Sequence, residues 1–470
     1  MADVQVWREG AAGEPKFPDN FEVAKKAVLQ VTDIKTNKNK YYAVELHSAK
    51  NKFRVYTHYG RTDDLDSNPN AGARESRYFD NLHEAQGTYD KIYREKTSAK
   101  KGYKELNLAS SKIGSRKTMG QSSGTIDDKT LKKLADNDKT PASKKAPVTL
   151  LHKDIQEIVS YLYSEATNAL TSTVNATITA NGIETPLGVL TLGQIDKGQL
   201  VLDQIATAMS KKKKDSEALT ELSGQFYTEI PHRFGRSKEQ ALLAVIDTAN
   251  KIAEKQDTLQ LMRDMLNVNG KTNVLVNPEI ESKYKALGCE IDLVPPSQYK
   301  EMQEYFEKSV VRGGSKVKVK NLWKIKRPDE HAHFTDSIKN HKLLFHGSAS
   351  KNWVGILSRG LLLPKIVVTL GVHRTDAGWL GSGIYFGDAA CTSAGYAGPG
   401  KRGTRFIAIA NVALGKMKDY SKITYGLTEP PSGYDSTHGV RGTQFADNEY
   451  VIYQHNQQRL EYLVECTYGY

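Results

Sequence analysis

Four short stretches of this 470-residue chain carry side chains that could do chemistry together. Leu343-Leu344-Phe345 predicts a short apolar strand ending on His346-Gly347-Ser348. A histidine followed by glycine at a strand end lets a ligand approach bare backbone. Ile384-Tyr385-Phe386 predicts a second short strand, entered through Gly381 and Gly383 and left through Gly387. Ala389 to Tyr396 reads as a short helix or turn that carries Ser393 and Tyr396. Glu449 precedes Tyr450-Val451-Ile452-Tyr453, a strongly strand-forming run. A carboxylate in an apolar strand is costly unless something pairs with it, so Glu449 is a functional candidate on physical grounds alone. Together these residues predict a binding cleft rather than a plain core.

Several familiar chemistries are excluded. Gly381-Ser382-Gly383-Ile384-Tyr385-Phe386 starts like a dinucleotide fingerprint but has Phe where the third glycine belongs, and no helix opens on it. Gly270-Lys271-Thr272 lacks the upstream glycine of a phosphate-binding loop. Neither an HExxH pair nor a G-x-S-x-G nucleophile elbow occurs. A hydride-transferring Rossmann domain is therefore not expected, nor is a metal site.

The ordered set His-Gly-Ser, Gly-Ile-Tyr-Phe, Ser393 with Tyr396, and Asn-Glu-Tyr resembles the ADP-ribosyltransferase domain of the poly(ADP-ribose) polymerases. The wording around it (GILSRGLLLPK, GVHRTD, LGSGIYFGD, VALGK, PPSGYDSTHGV) is similar to the vault-associated branch of that family. The resemblance implies NAD+ as a substrate, with no cofactor. It implies that the Gly347 backbone and the Ser393 hydroxyl hold the nicotinamide carboxamide, with Ser348 completing the motif. Tyr396 would stack on the nicotinamide ring and Tyr385 would cover its other side. His346 would hold ribose hydroxyls and orient the dinucleotide, and Glu449 would accept a hydrogen bond from the nicotinamide-ribose 2′-hydroxyl. Cleaving the N-glycosidic bond builds positive charge on the sugar, which such a carboxylate stabilises more in the transition state than in the ground state. The set His346, Tyr385 and Glu449 is the one the family associates with polymer formation. A loop from Leu363 to Gly378, with Lys365, Arg374 and Asp376, would lie over NAD+.

Each residue also has a plain structural reading. Tyr385 and Tyr396 could be core aromatics, His346 a satisfied core histidine, and Glu449 the partner of an arginine such as Arg441. Two functional alternatives stand beside polymer synthesis. One is mono-ADP-ribosyl transfer or NAD+ hydrolysis. The other is a DNA-end-binding scaffold with a degenerate transferase domain.

The elements that must position these residues make up a multidomain α+β chain. Hydrophobic residues are 39% of it, and the net charge of +12 suits a polyanionic partner. The three cysteines, Cys289, Cys391 and Cys466, are far apart and odd in number, which argues for a reducing compartment. No secretory h-region and no apolar run of membrane-spanning length is expected to direct the chain elsewhere. The expected location is nuclear in a eukaryote, or cytoplasmic and nucleoid in a bacterium.

Residues 1–17 read as a flexible tail. Residues 18–110 read as strands followed by a helix: Ala27 to Val31, Tyr41 to Leu46 and Phe53 to Tyr59, then Leu82 to Tyr93. YYAVEL, the YGRTD turn and EKTSAKKGY resemble the WGR domain, a small sheet-plus-helix module that engages broken DNA ends. Tyr59 stands where that family usually has Trp. The resemblance implies DNA contacts at Tyr59, Gly60 and Arg61, with Arg61 on phosphate or on the neighbouring domain. Residues 111–147, rich in Lys, Ser, Gly and Asp, read as a flexible linker. Residues 148–271 switch to helical period. One helix follows a Thr191–Gln194 capping box, and another runs from Ser237, with Gln240 as its box partner, to about Leu266. Lys211 to Lys214 read as a basic helix end. ETPLGVLTLGQI and FYTEIPHRFG resemble the all-α regulatory bundle of the DNA-dependent polymerases, which restricts NAD+ access. His232 in that stretch reads as structural. Residues 272–470 are strand-rich and form the mixed, β-rich transferase domain. The expected partners are NAD+, DNA ends or nicks, and acceptor proteins including the chain itself, with no membrane.

Overall fold

The computed structural model describes residues 4–118, 150–174, 176–179, 182–211, 214–232, 237–272, 280–309, 316–363 and 378–469. The proposed Leu363–Gly378 loop, with Lys365, Arg374 and Asp376, lies outside the described residues but for its two ends. So do most of the 111–147 linker and Lys212 and Lys213. The chain forms two compact units, one of residues 1–143 with 170–266 and the other of residues 144–169 with 267–470.

The first unit is organised by an antiparallel six-stranded sheet in the order β1-β5-β4-β3-β2-β6. Its strands are β1 (Trp7–Arg8), β2 (Glu22–Asp33), β3 (Lys38–Ala49), β4 (Lys52–Arg61), β5 (Ala73–Phe79) and β6 (Lys104–Glu105). The helix Leu82–Thr97 starts on Asn81, whose side chain accepts from the backbone N–H groups of His83 and Glu84. It lays Ala85 and Tyr89 on Leu29, Tyr42, Val44, Leu46 and Val55. Alternation along the strands accounts for that face only. Tyr41 to His47 are buried without a break, because the second face is covered too.

The second face is held by charge. The Glu45 carboxylate accepts from the Ser115 hydroxyl at 2.6 Å and from the Ser115 N–H at 3.2 Å. His47 lies 2.7 Å from it and Lys26 3.4 Å. Burial alone would raise the Glu45 carboxyl, but His47, Lys26 and Ser115 outweigh it and hold it at about 2. Residues 113–118 are therefore strapped onto the sheet, which corrects the expectation that the linker begins at 111. The expected tail also takes part, since Trp7 and Arg8 pair with Ser76 and Glu75.

The rest of this unit is not wholly helical. A small sheet in the order β7-β10-β9-β8 joins β7 (Leu108–Ser111) to β8 (Thr177–Thr179), β9 (Gly182–Glu184) and β10 (Gly188–Leu190). Helices follow at Leu192–Met209, Ser216–Glu229, Lys238–Leu243 and Ala249–Thr272. The helix expected from Ser237 thus breaks after Leu243, although its capping box forms. Asp215 starts a helix that carries Phe226 and Tyr227. Thr191 caps as expected, but Gln194 does not close the box. Its amide instead accepts from the Asn107 N–H at 2.8 Å and donates to the Glu229 carboxylate at 2.6 Å.

The second unit is built on a nine-stranded sheet in the order β11-β12-β19-β15-β13-β14-β18-β17-β16. Its strands are β11 (Glu290–Leu293), β12 (Lys316–Lys326), β13 (His341–Ser348), β14 (Ile384–Gly387), β15 (Arg405–Ala413), β16 (Met417–Tyr420), β17 (Ser436–Gly439), β18 (Glu449–Ile452) and β19 (Gln458–Gly469). All neighbours are antiparallel except β16 with β17. The helices Pro296–Lys308 and Ala390–Tyr396 pack Phe306, Cys391 and Ala394 on Phe345, Ile407, Ile409 and Val464. The helix Lys153–Thr173, expected in the regulatory bundle, gives its first part to this unit. Its Glu157 pairs with Arg402 at 3.0 Å, and the Arg402 guanidinium lies 4.1 Å from the Tyr161 ring centre. Cys289, Cys391 and Cys466 are buried and unpaired. No helix among the described residues is long and apolar enough to cross a membrane.

Glu45→Ala would leave Lys26 buried without its counter-charge and His47 without its hydrogen-bond partner. It is expected to destabilise the first unit by about 3–5 kcal/mol in denaturant titration. The pH dependence has one sign. The Glu45 carboxyl is held below its ordinary 4.5, so its contribution is complete above that pH and is lost as pH falls toward about 2. A Glu45→Ala protein as acid-resistant and as stable as wild type would contradict this account.

Candidate active site

As expected, β13 ends on His346, Gly347 and Ser348, which pair with Ala408, Ile407 and Phe406 of β15. On its other side it meets β14 at Phe345 with Gly387. Past that point His346 turns its ring to β14, and Nδ1 donates to the Tyr385 carbonyl at 2.9 Å. This bond fixes the tautomer, so Nε2 is left as the acceptor. Burial lowers the imidazole's pKa, which keeps the ring neutral.

Gly347 lies against the helix Ala390–Tyr396. A Cβ there would sit 1.9 Å from the Ser393 carbonyl oxygen, so no side chain is tolerated without moving the helix. Ser393 is itself buried, and its hydroxyl donates to the Phe345 carbonyl at 3.1 Å. Tyr396, at the end of the same helix, is exposed. Ser348 is committed elsewhere. Its hydroxyl accepts from Asn352 at 3.1 Å and its carbonyl accepts the Trp353 indole N–H at 3.1 Å, which anchors the helix Trp353–Arg359.

Tyr385 and Glu449 share one face of the sheet, since Tyr385 pairs with Val451 and Gly387 with Glu449. The Tyr385 hydroxyl accepts the Leu380 N–H at 2.9 Å and donates to the Gly381 carbonyl at 2.8 Å. Burial first, then the nearby Tyr453 and Glu449 charges, push its phenol up. Glu449 is half-buried at the head of β18. The contacts around it, and Asp388, Thr392 and Asp447, were not foreseen from the sequence. Asn448 and the Tyr450 hydroxyl both donate to Asp388, and Thr392 donates to Asp447. No spacing rule in the sequence marks these pairs, which lie 55 or more positions apart.

The structure thus sets His346, Gly347 and Ser393 at the parting of β13 from β14, with Tyr385 and Glu449 on one face of β14 and β18 and Tyr396 at the exposed end of the Ser393 helix. A neutral ring acceptor, bare backbone, a serine hydroxyl and a carboxylate suit a ligand with a planar amide and vicinal hydroxyls. Among the described residues, no group of three or more His, Cys, Asp or Glu side chains is placed to hold a metal ion.

The three DNA-contact candidates sit at the end of β4. The Tyr59 ring stacks on Tyr42 at 5.2 Å, and its hydroxyl donates to Glu75 at 2.7 Å. That bond, before burial, raises its phenol. Gly60 lies close to the Tyr41 hydroxyl, 3.0 Å from where a Cβ would stand. Arg61 pairs with Asp63 at 2.8 Å and donates to the Asn37 carbonyl at 2.8 Å. Asp63 in turn accepts from Asn39, whose amide also reaches the His232 carbonyl at 3.4 Å. His232 is buried, and that burial pushes it down to about 3, as suits a structural histidine.

Three family models match the chain. They are the WGR domain over residues 25–109, the poly(ADP-ribose) polymerase regulatory domain over 149–273, and the poly(ADP-ribose) polymerase catalytic domain over 297–444. Glu449 lies just past the last of these. The chain is 37% identical over 330 residues to protein mono-ADP-ribosyltransferase PARP4 of Mus musculus, covering 68% of this chain and 16% of that protein. It is 25% identical over 490 residues to protein mono-ADP-ribosyltransferase PARP3 of Homo sapiens, covering 93% and 86%. It is 26% identical over 493 residues to poly [ADP-ribose] polymerase 1 of Caenorhabditis elegans, covering 93% and 48%. The chain therefore spans 16% and 18% of the PARP4 proteins of mouse and human that it matches.

Gly347→Ala is expected to weaken binding of a carboxamide probe, benzamide, by roughly tenfold or more, the worth of one lost hydrogen bond. Calorimetry reads the affinity, and wild-type affinity in the variant would contradict the close approach described above.

Proposed function

The chain belongs to the poly(ADP-ribose) polymerase family, and on that premise we propose that it transfers ADP-ribose from NAD+ to protein. Glu449, on the Tyr385 face at the head of β18, is the observation that carries this. Its carboxylate takes the hydrogen bond of the nicotinamide-ribose 2′-hydroxyl and offsets the positive charge that grows on the sugar as the glycosidic bond opens. Nicotinamide departs, and the acceptor's nucleophilic oxygen takes its place on the sugar carbon, releasing its proton. The Gly347 backbone and Ser393 hold the carboxamide, Tyr396 stacks on the ring, and His346 orients the dinucleotide through Nε2.

The same Glu449 polarises the hydroxyl of a bound ADP-ribose unit, so the product is a polymer. The set His346, Tyr385 and Glu449 supports that reading. A single-transfer reading is favoured by the printed names of PARP4 and PARP3, both mono-ADP-ribosyltransferases. DNA ends or nicks stimulate the reaction through the WGR domain, and the chain modifies itself among other acceptors. Arg61 serves this by bracing the turn that reaches His232 through Asp63 and Asn39. The setting is the nucleus in a eukaryote and the nucleoid in a bacterium.

Glu449→Gln tests the role. With labelled NAD+ and a blunt DNA duplex, wild type is expected to give a high-mass smear on a denaturing gel. The variant should lose roughly 10²–10³-fold in rate, with NAD+ binding largely intact. Unchanged polymer length in the variant would sink the assignment. A single discrete product in wild type would favour mono-ADP-ribosyl transfer.

A further inference from the structure

The two neighbours of Glu449 are tied down together on the side of the sheet away from it. Asn448 Nδ2 donates to Asp388 Oδ2 at 2.8 Å, and the Tyr450 hydroxyl donates to the same oxygen at 3.1 Å. Side chains alternate along a strand, so Glu449 between them projects from the opposite face. Behind this pair stands His438 of β17, which pairs with Tyr450 and stacks on its ring at 4.7 Å with the planes 8° apart. His438 Nδ1 lies 2.9 Å from Asp419 Oδ1, and Nε2 lies 3.1 Å from Asn448 Oδ1.

The identity of that last oxygen is fixed by its surroundings. Asn448 Oδ1 also accepts the Arg441 backbone N–H at 3.0 Å, and the amide nitrogen is needed for Asp388. Turning the amide over would set N–H against N–H and oxygen against carboxylate. Both nitrogens of His438 therefore face oxygens that accept. A neutral imidazole has one N–H to give, whereas an imidazolium has two.

We propose that His438 is a cationic positioning residue for Glu449. As an imidazolium bridging Asp419 and Asn448, it locks the Asn448–Tyr450 segment and so fixes where the Glu449 carboxylate points. The role rests on Glu449 being the catalytic carboxylate. The charged and titratable groups around the ring come from four elements. Asp419 of β16 faces it directly, and Asp388, just past β14, faces it through Asn448 and Tyr450. Lys342 of β13 sets its ammonium 4.9 Å from the Tyr450 ring centre, and Lys418 turns to Tyr434 at 5.6 Å. Glu449 itself lies on β18. With a single N–H the ring would leave a lone pair against Asp419 or against the Asn448 oxygen, so the lock needs both N–H groups.

The test joins a spectrum to kinetics on the full chain. Imidazole ¹⁵N shifts, with His438 assigned by its absence in His438→Gln, should show both ring nitrogens protonated at neutral pH. His438→Gln should lower kcat for NAD+ cleavage roughly tenfold, the worth of one strong hydrogen bond, with KM unchanged. His438→Lys, which keeps a cation at this position, should recover part of that kcat. Asp419→Asn, at a site with an exposed side chain, should lower kcat without emptying the stack on Tyr450. One protonated nitrogen at neutral pH overturns the proposal, as does a kcat indifferent to His438→Gln and Asp419→Asn. If wild type cleaves no NAD+ while both nitrogens are protonated, the function proposed for Glu449 fails and the imidazolium lock stands.

Discussion

The site depends on where two strands part. Phe345 with Gly387 is the pairing that holds β13 to β14. Beyond it β13 stays on β15 through Ser348, and β14 stays on β18. A carbonyl at such a parting would lack a ladder partner, and unsatisfied backbone is costly when buried. The His346 ring answers this for Tyr385, and that bond in turn sets which ring nitrogen can meet a ligand. Gly347 then lets the helix carrying Ser393 come close enough to wall the opening. The site is therefore a consequence of incomplete pairing, closed by one histidine and one glycine.

Two carboxylates show how the fold separates structure from chemistry. Glu45 is fully buried and surrounded by Lys26, His47 and both donors of Ser115. Such saturation leaves it no capacity to act on a ligand, and it serves to strap residues 113–118 to the sheet. Glu449 is half-buried at a strand head, with its neighbours anchored behind it to Asp388. The first carboxylate is enclosed by its partners, and the second stands half-buried at a strand end. The Ser348 hydroxyl and carbonyl likewise serve structure, since they hold the helix Trp353–Arg359.

Much of this was legible in the sequence. Strand-like runs located β2, β3 and β4, and the strand-forming run after Glu449 located β18, because these patterns express burial of a face. The six candidate residues were picked out by the resemblance of their ordered motifs to a known family rather than by a burial pattern. Three things escaped, each for a physical reason. The second buried face of β3 looked polar, because its burial is satisfied by charge pairing rather than by apolar area. The linker and tail looked mobile, since Ser115 and Trp7 gain their order from partners 70 and 69 positions away. Gln194 matched a local capping rule but is held by Asn107 and Glu229, and such distant partners leave no periodic trace. The Asp388–Asn448–His438 network escaped for the same reason.

The central claim is that the parting of β13 from β14 seats the nicotinamide end of NAD+. Turnover alone can fail for want of an activator, so a crystal structure of the chain with benzamide is the most direct measurement. The account predicts the carboxamide on the Gly347 backbone and the Ser393 hydroxyl, with the ring against Tyr396. Benzamide bound elsewhere, with Gly347 and Ser393 untouched, would contradict it.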